Sequence, residues 1–544
     1  MRKISLLIMV AAWGATSVAQ SQDKPKLVVG VVVDQMRYEY LHRFSNHYGD
    51  GGFKRLLKDG FVFKNAHFNY IPTYTGPGHA SVYTGTTPRV HGIIANDWYD
   101  KYEKRERYCV EDNNQKGVGG KGKVGQRSPK NLKASTLTDE LRLFTQNRAK
   151  VIGIAIKDRG AILPAGHNPT GAYWFDSESG NFVTSTFYKK SLPEWLTAFN
   201  KKKLAKAYMS QGWDTYKPTA EYVESARDDR PYEATDLGGL PSVFPYDFSK
   251  LDKSTNIYKL MRVTPYGSVI TTDVALEAIS GEELGQDDIT DFLAISYSSP
   301  DYIGHAFGPY SKEIQDAYIR LDLELERLMK ALDDRLGEGN WSMFLTADHA
   351  VADIPAYLQE QGQTTDYTLA SERKKEMLDA LKEKFGSDQL IENVSNHQVF
   401  LNKEEIGKKQ LDIQEIKIFI INKLNTMEGF SSAFDAKTIA GYAGNDLDVK
   451  LLAAGLNSQM SGDIVYTLRA GWLSDWHKKN GGTTHGSGYS YDTHVPMIFY
   501  GWGINQGSTV TYHPITDIAP SVATLLNIKF PSGCTGQPAA ELFE

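Results

Sequence analysis

The sequence predicts an α/β fold, a three-layer sandwich around a mostly parallel central sheet, with an inserted cap region. Three observations carry this prediction. Short apolar, β-branched runs end at polar residues, helical patterns lie between them, and one long charged stretch interrupts the alternation.

Along the chain, residues 1–19 read as a signal peptide. Arg2 and Lys3 precede an apolar run from Ile4 to Ala12, and Ser17-Val18-Ala19 supplies small residues for cleavage. The expected location is therefore periplasmic or secreted. The run is shorter than the roughly 20 apolar residues of a spanning helix, and no later segment offers one. Lys26 to Val33 is a nearly continuous β-branched run, suited to a strand buried on both faces, and it ends at Asp34. Val151 to Ile156 ends at Lys157, Phe292 to Tyr297 runs toward Asp301, and Met343 to Thr346 runs toward Asp348. Ligands of open α/β sheets gather outside the carboxyl ends of strands, so these four strands deliver polar groups to one crevice. Glu313 to Leu336 is helical by the spacing of Ile314, Tyr318, Leu321, Leu325 and Leu328. Gly117 to Lys133, rich in Gly and Lys, reads as an exposed loop with solvated charges. Residues 356–480 contain charged helical stretches, Ser371 to Phe385 and Asp412 to Leu424, then the strand-like Asp463 to Arg469. They read as an inserted cap between core segments 20–355 and 481–544.

Composition narrows the function. With 60 basic against 66 acidic residues the net charge is -6, or -8 without residues 1–19, so no overall positive field favours a nucleic acid polymer as partner. A 41% hydrophobic chain of 544 residues with two cysteines is neither disordered nor a disulfide scaffold. In an oxidising compartment Cys109 and Cys534 either pair or stay separate thiols, and the sequence leaves both open. It sets no oligomeric state, and a monomer is compatible with it.

The candidate chemistry lies at the strand ends. Asp301 and His305 are four apart, Asp348 and His349 are adjacent, and His485 sits in the Gly-rich Gly481-Gly482-Thr483-Thr484-His485-Gly486. Mixed oxygen and nitrogen ligands of this kind suit zinc. Ile71-Pro72-Thr73-Tyr74-Thr75-Gly76-Pro77-Gly78-His79-Ala80 supplies a nucleophile. Pro77 predicts a helix first turn, which places Thr75 at a helix N-terminus where free N–H groups and the dipole favour an anion. A threonine hydroxyl is a poor nucleophile at neutral pH until a metal lowers its pKa.

Asp34, the Thr75-Gly-Pro-Gly-His block, Asn96, Asp301 with His305, Asp348-His349 and His485 follow the order of the alkaline phosphatase superfamily. Across the chain after residue 19, the sequence most resembles the bacterial periplasmic, phosphate-irrepressible alkaline phosphatases with a threonine nucleophile. The resemblance implies two Zn²⁺ per chain, one held by Asp301, His305 and His485, the other by Asp34, Asp348 and His349 and binding Thr75. It also implies that Asn96 donates to a phosphoryl oxygen. His79, His91, His167, His494 and His513 match no ligand role and are expected in structural or supporting positions.

Charge counting selects the substrate. Two Zn²⁺, three aspartates and a Thr75 alkoxide are formally neutral, and a phosphate monoester dianion requires further positive charge. Lys157 and Arg159, two apart after a buried strand, provide it if both point the same way from an extended end. One added cation about 4 Å from a unit negative charge is worth about 4 kcal/mol at an effective dielectric near 20. The expected function is a zinc-dependent phosphomonoesterase acting on small phosphate monoesters through a covalent phosphothreonine. Its rivals are a phosphodiesterase or nucleotide pyrophosphatase on the same scaffold, and a non-catalytic zinc or phosphate-binding protein.

Overall fold

In the computed structural model, residues 24–234, 237–368 and 370–543 are described. The proposed signal peptide, residues 1–19, lies outside them. Ten strands form the main sheet: β1 (Leu27–Val33), β2 (Phe61–Phe63), β3 (Gly117–Val118), β4 (Val151–Ala155), β5 (Gly171–Asp176), β6 (Asn181–Ser185), β7 (Asp291–Tyr297), β8 (Trp341–Thr346), β9 (Met497–Gly501) and β10 (Gly507–Thr509). Their spatial order is β10-β2-β9-β8-β1-β7-β4-β5-β6-β3. The central run β8-β1-β7-β4-β5 is parallel throughout, while β9 and β6 run against their neighbours.

Burial on both faces explains the composition of β1. All seven of its residues are buried, and each fully buried Val or Leu side chain contributes about 1.5–3 kcal/mol. Gly30 is the exception to bulk in this strand, because a Cβ there would meet the Tyr83 hydroxyl at 2.3 Å. Gly30 and Tyr83 thus set how closely the helix Thr75–Thr84 lies on the sheet. On the opposite face, Tyr297 shares a hydrogen bond of 3.0 Å with Thr272 of the helix Tyr266–Gly281. Helices therefore cover both faces, and the sandwich has three layers.

The expected long helix spans Lys312–Leu336, one residue earlier than its apolar pattern, because Ser311 caps it by accepting from Ile314 N. Gly117 to Lys133 is not wholly a loop: Gly117–Val118 pairs with β6 at the sheet edge. A separate four-stranded antiparallel sheet, in the order Ile391–Ser395, Gln398–Leu401, Ile464–Leu468, Phe430–Asp435, stands against helices Ala370–Phe385 and Ile413–Thr426. It has its own apolar core, including Leu381, Ile416, Ile420 and Ile464. Among the described residues no helix is long and apolar enough to cross a membrane.

Candidate active site

The four strand ends meet as expected. Asp34 follows β1, Lys157 follows β4, Asp348 and His349 follow β8, and Asp301 and His305 ride on the helix Ser299–Phe307 after β7. His485 arrives on the loop before β9. That loop can lie against the helix because Gly482 has φ +77° and a Cβ there would sit 2.0 Å from the His305 carbonyl oxygen. Thr75 is the first residue of its helix, after an extended Tyr74. Gly78 lets that helix touch the end of β8, since a Cβ at 78 would lie 2.1 Å from the Asp348 carbonyl oxygen.

Two groups of ligand-type atoms result, Asp301 with His305 and His485, and Asp34 with Asp301 and His349, each spanning no more than 4.8 Å. Asp301 belongs to both. Asp348, assigned by resemblance to the second group, lies just beyond it, its Oδ2 3.7 Å from His349 Nε2 and without a hydrogen-bond donor. Each of the three histidines has Nδ1 within hydrogen-bonding distance of a main-chain carbonyl: His305 with Thr483 at 2.7 Å, His349 with Ala350 at 2.8 Å, and His485 with Thr73 at 2.6 Å. A carbonyl can only accept, so Nδ1 carries the proton and Nε2 offers its lone pair.

The same donor set answers whether metal ions fit. Three buried aspartates face one ammonium, leaving the cluster formally at -2. Neither Asp34 oxygen accepts a hydrogen bond, although Lys157 Nζ lies 2.7 Å from Oδ2. Burial, then Asp348 nearby, pushes the Asp34 carboxyl well up, and burial raises Asp348 to about 7. Asp301 is also desolvated, but His305 and Lys157 hold it well below the usual carboxylate range. Unpartnered carboxylate oxygens beside three imidazole lone pairs are the donors that divalent zinc-type ions take, so the residues fit.

Lys157 and Arg159 converge on Thr75, though not by the expected route. Lys157 is the extended residue capping the helix Asp158–Ala165, and Arg159 is inside that helix, so a helical turn rather than a strand brings them together. Lys157 Nζ and Arg159 Nη2 lie 3.3 and 3.4 Å from Thr75 Oγ1, and His349 Nε2 lies 3.4 Å from it. Lys157 also contacts Asp34 and Asp301, at 2.7 and 2.6 Å. Burial would lower its pKa, but those carboxylates outweigh burial and push it up to about 12.

The helix N-terminus is less open than the sequence suggests. Gly76 N–H donates to Asn96 Oδ1 at 2.7 Å, and Pro77 has no N–H. This bond fixes the Asn96 amide and leaves Nδ2 as its donor end. Cys109 and Cys534 cannot pair. Cys109 Sγ is 3.2 Å from a Cβ built at Gly76, and Cys534 Sγ 2.7 Å from one at Gly85, so they mark opposite ends of one helix. Nine residues at 1.5 Å separate those ends by about 13 Å, too far for a disulfide.

Residues 28–489 match the family described as Type I phosphodiesterase / nucleotide pyrophosphatase. The chain belongs to that family, within the alkaline phosphatase superfamily. Alkaline phosphatase PafA of Elizabethkingia meningoseptica is 41% identical over 541 residues, covering 99% of this chain and 98% of that protein. A protein of Myroides odoratus named calcium-transporting ATPase is 43% identical over 532 residues, 97% of each chain. The crystal structure of wild-type PafA superposes with a TM-score of 0.91 at 41% identity, covering 96% of this chain and 99% of that one.

Several residues of this family member escaped the sequence reading. Gln35, at φ +67°, accepts the strain of a left-handed conformation and donates to both sides of the cluster, from N to Asp348 Oδ1 at 3.2 Å and from Nε2 to Asp301 Oδ1 at 2.8 Å. His79, expected in a supporting position, takes one there: it bridges the Thr75 carbonyl and Ser296 Oγ, both at 2.9 Å. Arg159 Nη1 donates to Tyr108 Oη at 3.2 Å, Tyr108 is bonded to Asp158, and Arg127 Nε donates to Asp158 Oδ2 at 2.6 Å. Arg127 is therefore not a solvated loop charge.

Proposed function

We propose that this protein is an exported phosphomonoesterase that acts through a phosphothreonine at Thr75 and carries two zinc ions. The observation that carries the reading is the pair of permanent cations, Lys157 and Arg159, beside one hydroxyl. Asp301, His305 and His485 would hold one ion, and Asp34, Asp348 and His349 the other. When bound, such ions supply Lewis-acid polarisation of phosphoryl oxygens and acidify a hydroxyl or water.

The chain's own groups do the rest. Lys157, an ammonium up to about pH 12, donates toward Thr75 Oγ1 and favours its deprotonated form. Thr75 gives its proton to water and its oxygen attacks phosphorus, the bond from phosphorus to the leaving oxygen breaks, and the departing alkoxide takes a proton back from water. A water then attacks the phosphothreonine, which returns the Thr75 hydroxyl and releases phosphate. Through both steps the Arg159 fork and Asn96 Nδ2 supply donors to the non-bridging oxygens, a stabilisation available without reorganisation at the moment of reaction.

The family includes diesterases, and a diesterase would share Thr75 and the metal ligands. Lys157 and Arg159 separate the two, because a diester carries one charge where a monoester carries two. The test is kcat/KM for a monoester and the matching diester, in the zinc-loaded protein and in Lys157→Ala. Monoester preference, falling by at least about tenfold more for the monoester in the variant, supports the reading. A diester turned over as efficiently as the monoester overturns it.

A further inference from the structure

An apolar cavity of about 440 Å³ lies inside the insert, between the helices Ala370–Phe385 and Ile413–Thr426 and the antiparallel sheet. Met377, Val399, Ile420, Leu424, Met427 and Phe430 line it, each less than 9% exposed. No carboxylate is among its described lining residues, while Arg373 and Lys374 are. Tyr74, the residue before the nucleophile, is among its lining residues. A second cavity, of about 230 Å³, shares Tyr74, His397, Leu468 and Ser474 with the first and reaches His485, a metal-type ligand. The Tyr74 ring stands 5.5 Å from that of His485, edge to face, between the two spaces.

We propose that these two adjoining cavities form a leaving-group subsite: the insert cavity receives the alkyl chain of a long-chain phosphate monoester whose phosphoryl group sits at Thr75, with the Tyr74 side chain lining the passage between them. The proposal rests on the phosphomonoesterase reading for its orientation. Aliphatic walls favour a flexible hydrocarbon chain, and two methionines let the walls adapt to it. Arg373 is neutralised by Glu376 and Glu428, at 3.1 and 3.6 Å, so the apolar walls rather than a charge select the chain.

Straight-chain alcohols from ethanol to decanol differ little in acidity, so the intrinsic reactivity of their phosphates is nearly constant. Any rise in kcat/KM along the series then reports burial of the chain, by up to about fourfold per methylene. The expected result in the zinc-loaded protein is such a rise, reaching a plateau when the cavity is filled. Leu424→Trp and Val394→Phe, which narrow the cavity from different walls, should flatten it and leave ethyl phosphate turnover unchanged. Calorimetric binding of the non-hydrolysable alkyl phosphonates to the wild-type protein reads the subsite without turnover and needs neither variant to fold. Affinity that does not increase from ethyl to decyl phosphonate overturns the proposal. So does a decyl phosphonate that binds without competing with ethyl phosphonate. Affinity that rises with chain length while no alkyl phosphate is hydrolysed would keep the subsite and overturn the phosphomonoesterase reading instead.

Discussion

The crevice at the carboxyl ends of the parallel strands and the cavity of the insert are built from opposite materials. In the crevice Asp34, Thr75, Lys157, Asp301, Asp348 and His349 are each under 5% exposed and polar, and they answer one another's charge. The insert cavity is walled mainly by apolar side chains such as Met377, Val399, Ile420 and Leu424, with Arg373, Lys374 and His397 among its few polar ones. Contacts in the crevice also join distant parts of the chain, as Gln35 does with Asp301 and Asp348, whereas the insert's core draws on residues 377–468. The difference assigns the work: groups that must be held to a fraction of an ångström sit at the ends of shared sheet strands, and recognition of the variable part of a substrate sits on a unit that can vary without disturbing them.

The strongest way to break this division is to remove chemistry from the crevice alone. Thr75→Ala should lower monoester kcat by at least about 10³-fold, while metal analysis of the purified variant finds unchanged zinc. Residual turnover within tenfold of wild type would take Thr75 out of the mechanism. Chelation should abolish turnover as well, and it should also lower the melting temperature, because ions at about 1,000 times their Kd contribute about 4 kcal/mol to the folded state. Scanning calorimetry with and without added zinc checks this. A melting point indifferent to zinc would contradict the reading of the buried carboxylates as metal ligands.

The same contrast explains what the sequence made legible. Asp34, Lys157 and Asp348 were found because apolar runs ending in a polar residue place that residue at a strand end, and the order of the motifs carried Thr75, Asn96 and the histidines. Lys157 and Arg159 were paired correctly for an incorrect geometric reason, since spacing of two reads alike at a strand end and in a first helical turn until the backbone is seen. Gln35 carries no local signal. Its role depends on partners 266 and 313 residues away, and a polar side chain beside a motif looks the same whether it supports the site or faces water. Arg127 was lost in the same way, inside a stretch whose Gly and Lys content suggests solvation. The cavity left no trace either, because the spacing that marks a buried face does not reveal whether the faces meet.

A finer test asks whether support around the crevice can be loosened without touching its reacting groups. Tyr108→Phe keeps the ring and removes the hydroxyl that links Arg159 to Asp158. One such hydrogen bond is worth about 1 kcal/mol, so monoester kcat/KM should fall by about three- to tenfold. The matching diester should change less, because Arg159 matters most to a doubly charged phosphoryl group. Equal losses for both esters would place Tyr108 in general stability of the site rather than in the positioning of Arg159.

The smallest effect on turnover is expected from the insert's own titratable group. His397 follows Asn396 in a tight hairpin turn where both have positive φ, 58° and 51°, and its Nδ1 has no hydrogen-bond partner. Tyr466 stacks obliquely at 5.4 Å, and the cavities His397 borders also carry Arg373, Lys374, Asp448 and Arg469. Burial lowers the His397 pKa to about 4, against about 6.5 unfolded. The unfolded hairpin therefore binds the extra proton first. Its stability is complete above pH 6.5 and declines as pH falls toward 4, by about 2 kcal/mol at pH 5. His397→Asn, which tolerates the left-handed turn and does not titrate, should remove this dependence. Hydrogen exchange in residues 391–401, corrected for intrinsic rates, should show the wild-type hairpin opening more readily at pH 5 than at pH 7 and the variant opening equally at both. If the variant kept the acid sensitivity, the insert's response would belong to another group, and its independence from the crevice would need a different argument.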